Sequence, residues 1–387
     1  MTFLTIPGRS IPGSCLPLRS KAMKLLKTYK KLHIWLLADL CLLAAYWLCR
    51  GDRAWMNALA ARVTAPLRRA IGTVCYRVGF SVAEALCVLL AVVAAGYLVW
   101  SVIAVAKRRG RGALRRAYGA VLGAVCVGVT IYAGFCFLLG IDSYADGFQE
   151  KSGLHAQPVA LEDLEAVTAY FAHQVSVTAD GVARDGNDVF AEDRRTILKN
   201  SVHAYDALEQ EYPFLSFEDT GVKPVYFSRL LSALDFTGIY CPFTGEANVN
   251  IDSPASMLPA TAAHELAHQR GITSEQECNF LAILAATTCG DHVYAYSGWL
   301  SGYIYLGNAL YRVDPDAYWA IRNALPETVQ ADLRNQNEYW DQFEDKTAQK
   351  VSNRIYDSFL KGYGQELGLQ SYGTVVDLLV TYYKDRI

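Results

Sequence analysis

His264-Glu265-Leu266-Ala267-His268 is the stretch that decides how this chain reads. On a helix, residues four apart share one face, so both imidazoles can serve one ion. Glu265 lies about 100° further round the helix, placed to reach a water held there without being a ligand itself. Zinc takes neutral imidazole nitrogens and, for catalysis, keeps one position open, so two His, one carboxylate and a water make a complete set. The preceding Ala260-Thr261-Ala262-Ala263 is small and mostly apolar, which suits a helix buried in a core. Pro259 is tolerated in its first turn, and Gly271 is placed to end it in a left-handed conformation. A surface turn carrying two unrelated histidines fits this apolar setting poorly.

Thr273-Ser274-Glu275-Gln276-Glu277-Cys278-Asn279-Phe280 follows, then the apolar Leu281-Ala282-Ile283-Leu284-Ala285. Ser274 to Glu277 has the S-x-x-E spacing of a capping box, which predicts a second helix starting here. Glu277 then has a local task, reaching back to the backbone of Ser274. Glu275 has none, and the glycine turn swings it towards the two histidines. The reading therefore favours Glu275 as third ligand, with Glu277 as the alternative. Asn279 lies one turn beyond Glu275, on the same face, where it can hydrogen-bond a ligand.

His264–His268 with Glu275-x-x-x-Asn279 resembles the gluzincin pattern, HExxH followed by a helix carrying E-x-x-x-D. That resemblance implies that the glutamate is the ligand and the residue four later its support. The chain departs from it in having Asn for Asp and a short separation between the two halves. The gap ending in Gly271 is similar to the metzincin turn, but the metzincin ligand position falls on Ser274, a poor zinc ligand. The wider run Gly238-Ile239-Tyr240-Cys241-Pro242-Phe243-Thr244-Gly245-Glu246-Ala247-Asn248-Val249-Asn250, with HELAHQRG after it, is similar to an uncharacterised family of bacterial membrane proteins. That likeness implies N-terminal spans and a zincin-like C-terminal region, and names no substrate.

Composition agrees with a membrane protein: 52% hydrophobic and only 19% charged residues, an excess concentrated before residue 141. Apolar stretches run from about His33 to Cys49, Phe80 to Ala106 and Tyr118 to Gly140, near or above the ~20 residues a bilayer core demands. Asp39, inside the first, is expected in a bundle interior. Basic residues cluster at Arg9, Arg19, Lys21, Lys24, Lys27, Lys30 and Lys31, and again at Lys107, Arg108, Arg109, Arg111, Arg115 and Arg116. The positive-inside rule makes both segments cytoplasmic and everything after Gly140 external. Arg53, Arg62, Arg68, Arg69 and Arg77 in the first connection oppose that count. There, Ala54 to Ile71 is expected to form an amphipathic helix lying on the membrane surface. Met1 to Leu32 lacks the apolar core of a cleaved signal peptide, and Met23 is a possible true start. No nucleic-acid-binding motif accompanies the basic flanks, so they are read as lipid anchors. Seven of the ten cysteines fall in the membrane half, and Cys241, Cys278 and Cys289 form no zinc-ribbon or C-x-x-C spacing.

The expected fold is mainly α: a membrane part with three transmembrane helices (residues 1–140), then a helical zincin-like domain with a short sheet (residues 141–387). Helices are expected at Leu161–Val175, Phe190–Tyr212, Pro326–Tyr363 and Thr374–Lys384, and extended chain at Pro224–Tyr226 and Phe236–Asn250. Val293–Tyr311 is uncharged and long enough for a span, but its five tyrosines and three glycines favour a buried helix. A zincin places a substrate-aligning edge strand before the motif helix, and Glu246–Asn250 stands in that position. Glu246 is read either as a reader of a substrate amino terminus or as a solvated edge carboxylate. Transition-state donors are sought in His292, Tyr294 and Tyr296. The expected activity is that of a membrane-anchored zinc metallopeptidase, with Glu265 as general base, acting on peptides or protein segments near the outer face of the bacterial cell membrane. The alternative is a non-catalytic binding or sensor protein of zincin fold.

Overall fold

From its N-terminal side the chain runs through α1 (Lys30–Cys49), the short α2 (Arg53–Leu59) and α3 (Ala65–Cys75), then α4 (Val82–Ala106) and α5 (Arg111–Phe135). The structure is a computed structural model and describes residues 25–218, 220–343, 350, 353–354, 357–358 and 372–387. Among the described residues, three helices are long and apolar enough to cross a membrane: α1, α4 and Arg111–Gly140, which contains α5. These are the three spans expected from the sequence.

The chain divides into two compact units. One contains the residues up to Leu48 together with Leu90–Gly134. Polar side chains there join the first and third spans. His33 Nε2 lies 2.6 Å from the Tyr118 hydroxyl, and Thr130 Oγ1 donates to Asp39 at 2.6 Å while accepting from the Trp35 indole at 2.9 Å. Asp39 is buried, the interior position a carboxyl group in an apolar span requires.

The other unit joins Cys49–Leu89 to Phe135–Ile387. Here the structure departs from a boundary at residue 140 and from a helix simply lying on the bilayer. Residues 53–75 are helical, but Met56 and Thr64 are fully buried, and Arg68 forms a buried ion pair with Asp142 at 2.5 Å. Arg53 pairs with Asp146 and Glu150, and Arg50 donates to the Tyr144 hydroxyl. Arginines that looked like membrane-surface charge are thus held by partners just beyond the third span.

The rest of this unit is α6 (Phe148–Ser152), α7 (Leu161–Thr178), α8 (Arg194–Asn200), α9 (Asp206–Glu211), β1 (Lys223–Pro224), α10 (Ser228–Ala233), β2 (Gly238–Cys241), β3 (Glu246–Val249), α11 (Leu258–Gln269), α12 (Glu275–Thr288), α13 (His292–Val313), α14 (Pro315–Asn323), α15 (Glu327–Asp341) and α16 (Tyr372–Tyr383). The fold is mainly α with a short sheet, as expected. The helix expected over Phe190–Tyr212 is broken. Ser201 Oγ donates to the Leu198 carbonyl and accepts from the Val222 N–H, competing with the helical ladder, and the chain turns through a 3-10 segment, Ser201–His203, between α8 and α9. α13 is buried, with Tyr294, Tyr296, Tyr303 and Leu306 among its inward residues, and packs on α7 and α12. Phe171 and Trp299 meet edge to face at 4.9 Å in that contact. α15 covers the start of the long helix expected from Pro326, most of whose remainder lies outside the described residues.

The sheet has the order β1-β3-β2, with β1 parallel and β2 antiparallel to β3; Ile239 faces Asn248 and Tyr240 faces Ala247. β3, the strand before the motif helix, is therefore central and bonded on both sides. This corrects its expected place at the edge. β3 and β2 both pack on α11, and β2 forms an open edge.

Candidate metal centre

α11 carries the motif because its apolar face, Ala262, Ala263, Leu266 and Ala267, is fully buried against the sheet and neighbouring helices. The helix stops where the sequence predicts. Gly271 adopts φ +88°, its N–H donates to the His268 carbonyl at 3.0 Å, and the Ile272 N–H donates to that of Ala267 at 3.2 Å. This closure needs a left-handed residue, which glycine supplies without strain. Ser274 then caps α12, accepting from the Glu277 N–H. Glu275 opens α12 directly above the two histidines.

His264, His268 and Glu275 converge. Glu275 Oε2 is 3.2 Å from His264 Nε2, and Oε1 is 3.5 Å from His268 Nε2. One donor atom from each lies within 4.8 Å of the others. Tetrahedral zinc with bonds of about 2.0–2.1 Å sets its donors about 3.4 Å apart, so this donor set fits such an ion. The far side of each ring is also tied. His264 Nδ1 donates to Asn279 Oδ1 at 2.8 Å, and His268 Nδ1 to the Ile272 carbonyl at 2.9 Å. A proton on each Nδ1 is the form in which both Nε2 lone pairs would be free to take an ion facing Glu275. Cys278 Sγ lies 3.4 Å from His268 Nδ1, on the side away from Glu275, and burial pushes its thiol up to about 11. It packs behind the site as a neutral thiol.

The electrostatics suit a cation. Burial alone would raise the Glu275 carboxyl, but the facing His268 and His264 hold it well below the usual carboxylate range. Burial would likewise lower His268, yet the Glu275 carboxylate facing its Nε2 raises it well above its ordinary value. Glu265 stands beside this group, 4% exposed. Burial pushes its carboxyl up to about 7, His264 and His268 pull the other way, and the Tyr240 backbone amide donates to it. Its Oε2 is buried without a hydrogen-bond partner. An orphaned carboxylate oxygen is costly inside a protein and is expected where it meets a reacting group.

Glu277 does not join them. The reason differs from the one the capping box offers: its carboxylate does not return to Ser274 but crosses to α6, accepting from the Phe148 N–H at 2.8 Å and the Gln149 N–H at 3.1 Å. Glu246 matches neither reading made from the sequence. It is fully buried, pairs with Lys223 Nζ at 2.6 Å, and caps α4 by accepting from the Val82 and Ala83 amides at 3.2 and 2.7 Å. The tyrosines proposed as transition-state donors are engaged elsewhere. Tyr296 is buried, its hydroxyl bonded to Asp332 and its ring under the Arg184 guanidinium. Tyr294 donates to the Ile197 carbonyl at 2.9 Å. Buried hydroxyls take the nearest acceptor, and here that acceptor is structural. His292 stands exposed at the first turn of α13, beside Gly181.

Residues 61–380 match the family described as protein of unknown function (DUF3810). The chain belongs to that family. The match takes in the second and third spans, the whole sheet and both helices of the site. No curated protein and no solved structure matches the chain.

Sequence reasoning missed one residue of the site. A Cβ at Gly238 would lie 2.4 Å from Glu265 Oε1 and 2.7 Å from its Cγ, so β2 reaches the Glu265 side chain only through a glycine. A glycine inside an extended run signals close approach and was the cue available.

Proposed function

We propose that this protein is a membrane-anchored zinc metallopeptidase hydrolysing peptide bonds in segments near the outer face of the membrane. The observation that carries the reading is the convergence of His264, His268 and Glu275 beside a buried Glu265 whose Oε2 has no partner. His264 Nε2, His268 Nε2 and a Glu275 oxygen would hold the ion. Bound zinc would supply Lewis acidity towards a carbonyl oxygen and acidify a water. Asn279 and the Ile272 carbonyl orient the two rings. Glu265 receives the proton of the attacking water and passes it to the leaving nitrogen, and the Tyr240 amide steadies its carboxylate. The buried apolar face of α11 keeps bulk water from the base.

Orientation rests on charge and on packing. With three spans, the first connection and the C-terminal part lie on one side, and they form one compact unit. The arginines that opposed an external placement include Arg53 and Arg68, which are paired with carboxylates of that unit. Discounting them leaves the basic excess on the opposite side.

The test is metal analysis of the detergent-purified protein with a peptide-library cleavage assay. His264→Ala or His268→Ala should abolish stoichiometric zinc, and Glu265→Gln should retain zinc and lose cleavage. A protein that binds zinc tightly and cleaves nothing would favour a sensor; loss of zinc in Glu265→Gln would overturn the role given to Glu265.

A further inference from the structure

The segment leaving β1 exposes a group of apolar side chains that the peptidase reading does not use. Tyr226 is 86% exposed, Phe227 49% and Leu230, on α10, 58%. The two rings pack edge to face at 5.1 Å. Their backbone is not loose. The Tyr226 and Phe227 amides donate to Glu84 Oε2 and Oε1 at 2.9 and 2.7 Å, and Glu84 sits in the first turn of α4. Just before the loop, Lys223 Nζ donates to the Phe80 carbonyl at 2.8 Å, and Phe80 is itself 59% exposed. The aromatic tip is thus fastened, by both oxygens of one carboxylate, to the end of a helix long and apolar enough to cross a bilayer.

Aromatic side chains at the ends of spans lie at headgroup depth, where an apolar ring leaves water while its polar edge and backbone stay hydrated. Tyr226 has that chemistry, Phe227 adds a purely apolar ring beside it, and Glu84 holds both backbones at the end of α4. We infer that Tyr226, Phe227 and Leu230 form a wedge seated in the interfacial layer of the bilayer that α4 spans, and that the substrate of the proposed site is a polypeptide segment lying along that surface.

The substrate half of this inference rests on the peptidase reading; the wedge rests only on α4 crossing the bilayer. The strand order sets the distance between them. β1 and β2 are two inter-strand spacings apart, about 10 Å, and β2 carries Gly238 against Glu265. A loop anchored at the end of β1 therefore keeps the general base close to the headgroups, within reach of the flanking segment of a membrane-tethered chain.

The experiment places the photo-cross-linker p-benzoylphenylalanine singly at positions 226, 227, 92 and 180 of the full chain. Each variant is reconstituted in phosphatidylcholine–phosphatidylglycerol vesicles doped with alkyne-tagged phosphatidylcholine, and a monodisperse size-exclusion profile with a parent-like thermal melt in detergent reports folding. Val92 faces outward within α4, and Asp180 is exposed at the end of α7. Lipid adducts at 226 and 227 should approach the yield at 92 and exceed that at 180 about 10-fold. Adducts at 92 with only background at 226 and 227 would overturn the wedge while leaving the span intact. Adducts between two copies of the chain at 226 or 227 would also overturn it, making the patch a self-association surface. Failure at 92 would remove the membrane reading on which the wedge depends.

Discussion

Removing the Glu277 carboxylate should destabilise the protein and leave the proposed zinc site intact. In Glu277→Ala the Phe148 and Gln149 amides lose a charged acceptor in a nearly closed setting, since Glu277 is buried. Hydrogen bonds to charged groups contribute about 1.5–3 kcal/mol each, which sets the loss near ~4 kcal/mol. For a domain of this size that corresponds to a fall in melting temperature of about 8–16 °C. A capping box confined to α12 predicts only about 1 kcal/mol, the usual effect of a lost cap, and Ser274→Ala supplies that reference. Glu275→Ala should behave inversely, losing stoichiometric zinc with a modest change in the melt of the metal-free protein. Thermal unfolding of both variants in detergent, with zinc and with chelator, separates the contribution of bound metal from that of the cap. If Glu277→Ala lost zinc while its metal-free melt stayed within about 2 °C of the parent, the assignment of the two glutamates would be reversed.

Three further outcomes follow from the same geometry. Asn279→Ala should weaken zinc binding about 10- to 100-fold by freeing the His264 ring, while Asn279→Asp keeps the acceptor and should bind at least as tightly in a competition titration. Gly238→Ala should retain zinc yet lower cleavage on the order of 100-fold, because the new Cβ displaces the Glu265 carboxylate by roughly 1 Å; unchanged turnover would show that Glu265 does not act from this position. A cysteine introduced at Asp180 should react with a membrane-impermeant thiol reagent on intact cells and one at Arg111 should not; the opposite pattern would place the site in the cytoplasm.

Much of the site is legible in the chain because its parts are close in sequence. Two histidines four apart share a helix face by geometry alone, Gly271 marks the stop, and Glu275 with Asn279 repeats the four-residue spacing on the next helix. The spans are equally local, since length and apolar content suffice to find α1, α4 and the stretch around α5. Only half of the capping box forms: Ser274 accepts from the Glu277 N–H, but the Glu277 carboxylate crosses to α6.

What the sequence by itself determined is therefore the short-range pattern: three helices long and apolar enough to span a membrane, a motif helix, a turn and a second helix carrying the third converging side chain. Tertiary structure alone decided the partners of the buried charges. Glu277 meets an amide 129 residues away and Glu246 one 163 residues away, and no periodicity along the chain encodes either contact. The same holds for the first connection, whose arginines read as membrane charge until Asp142 and Asp146 are brought against them. Strand order is of this kind too. β3 adjoins α11 in sequence but takes the centre of the sheet, because β1 pairs on its other side and leaves β2 to meet Glu265. Helix geometry fixes neighbours within a turn or two, whereas burying a charge or pairing a strand selects its partner from the whole fold.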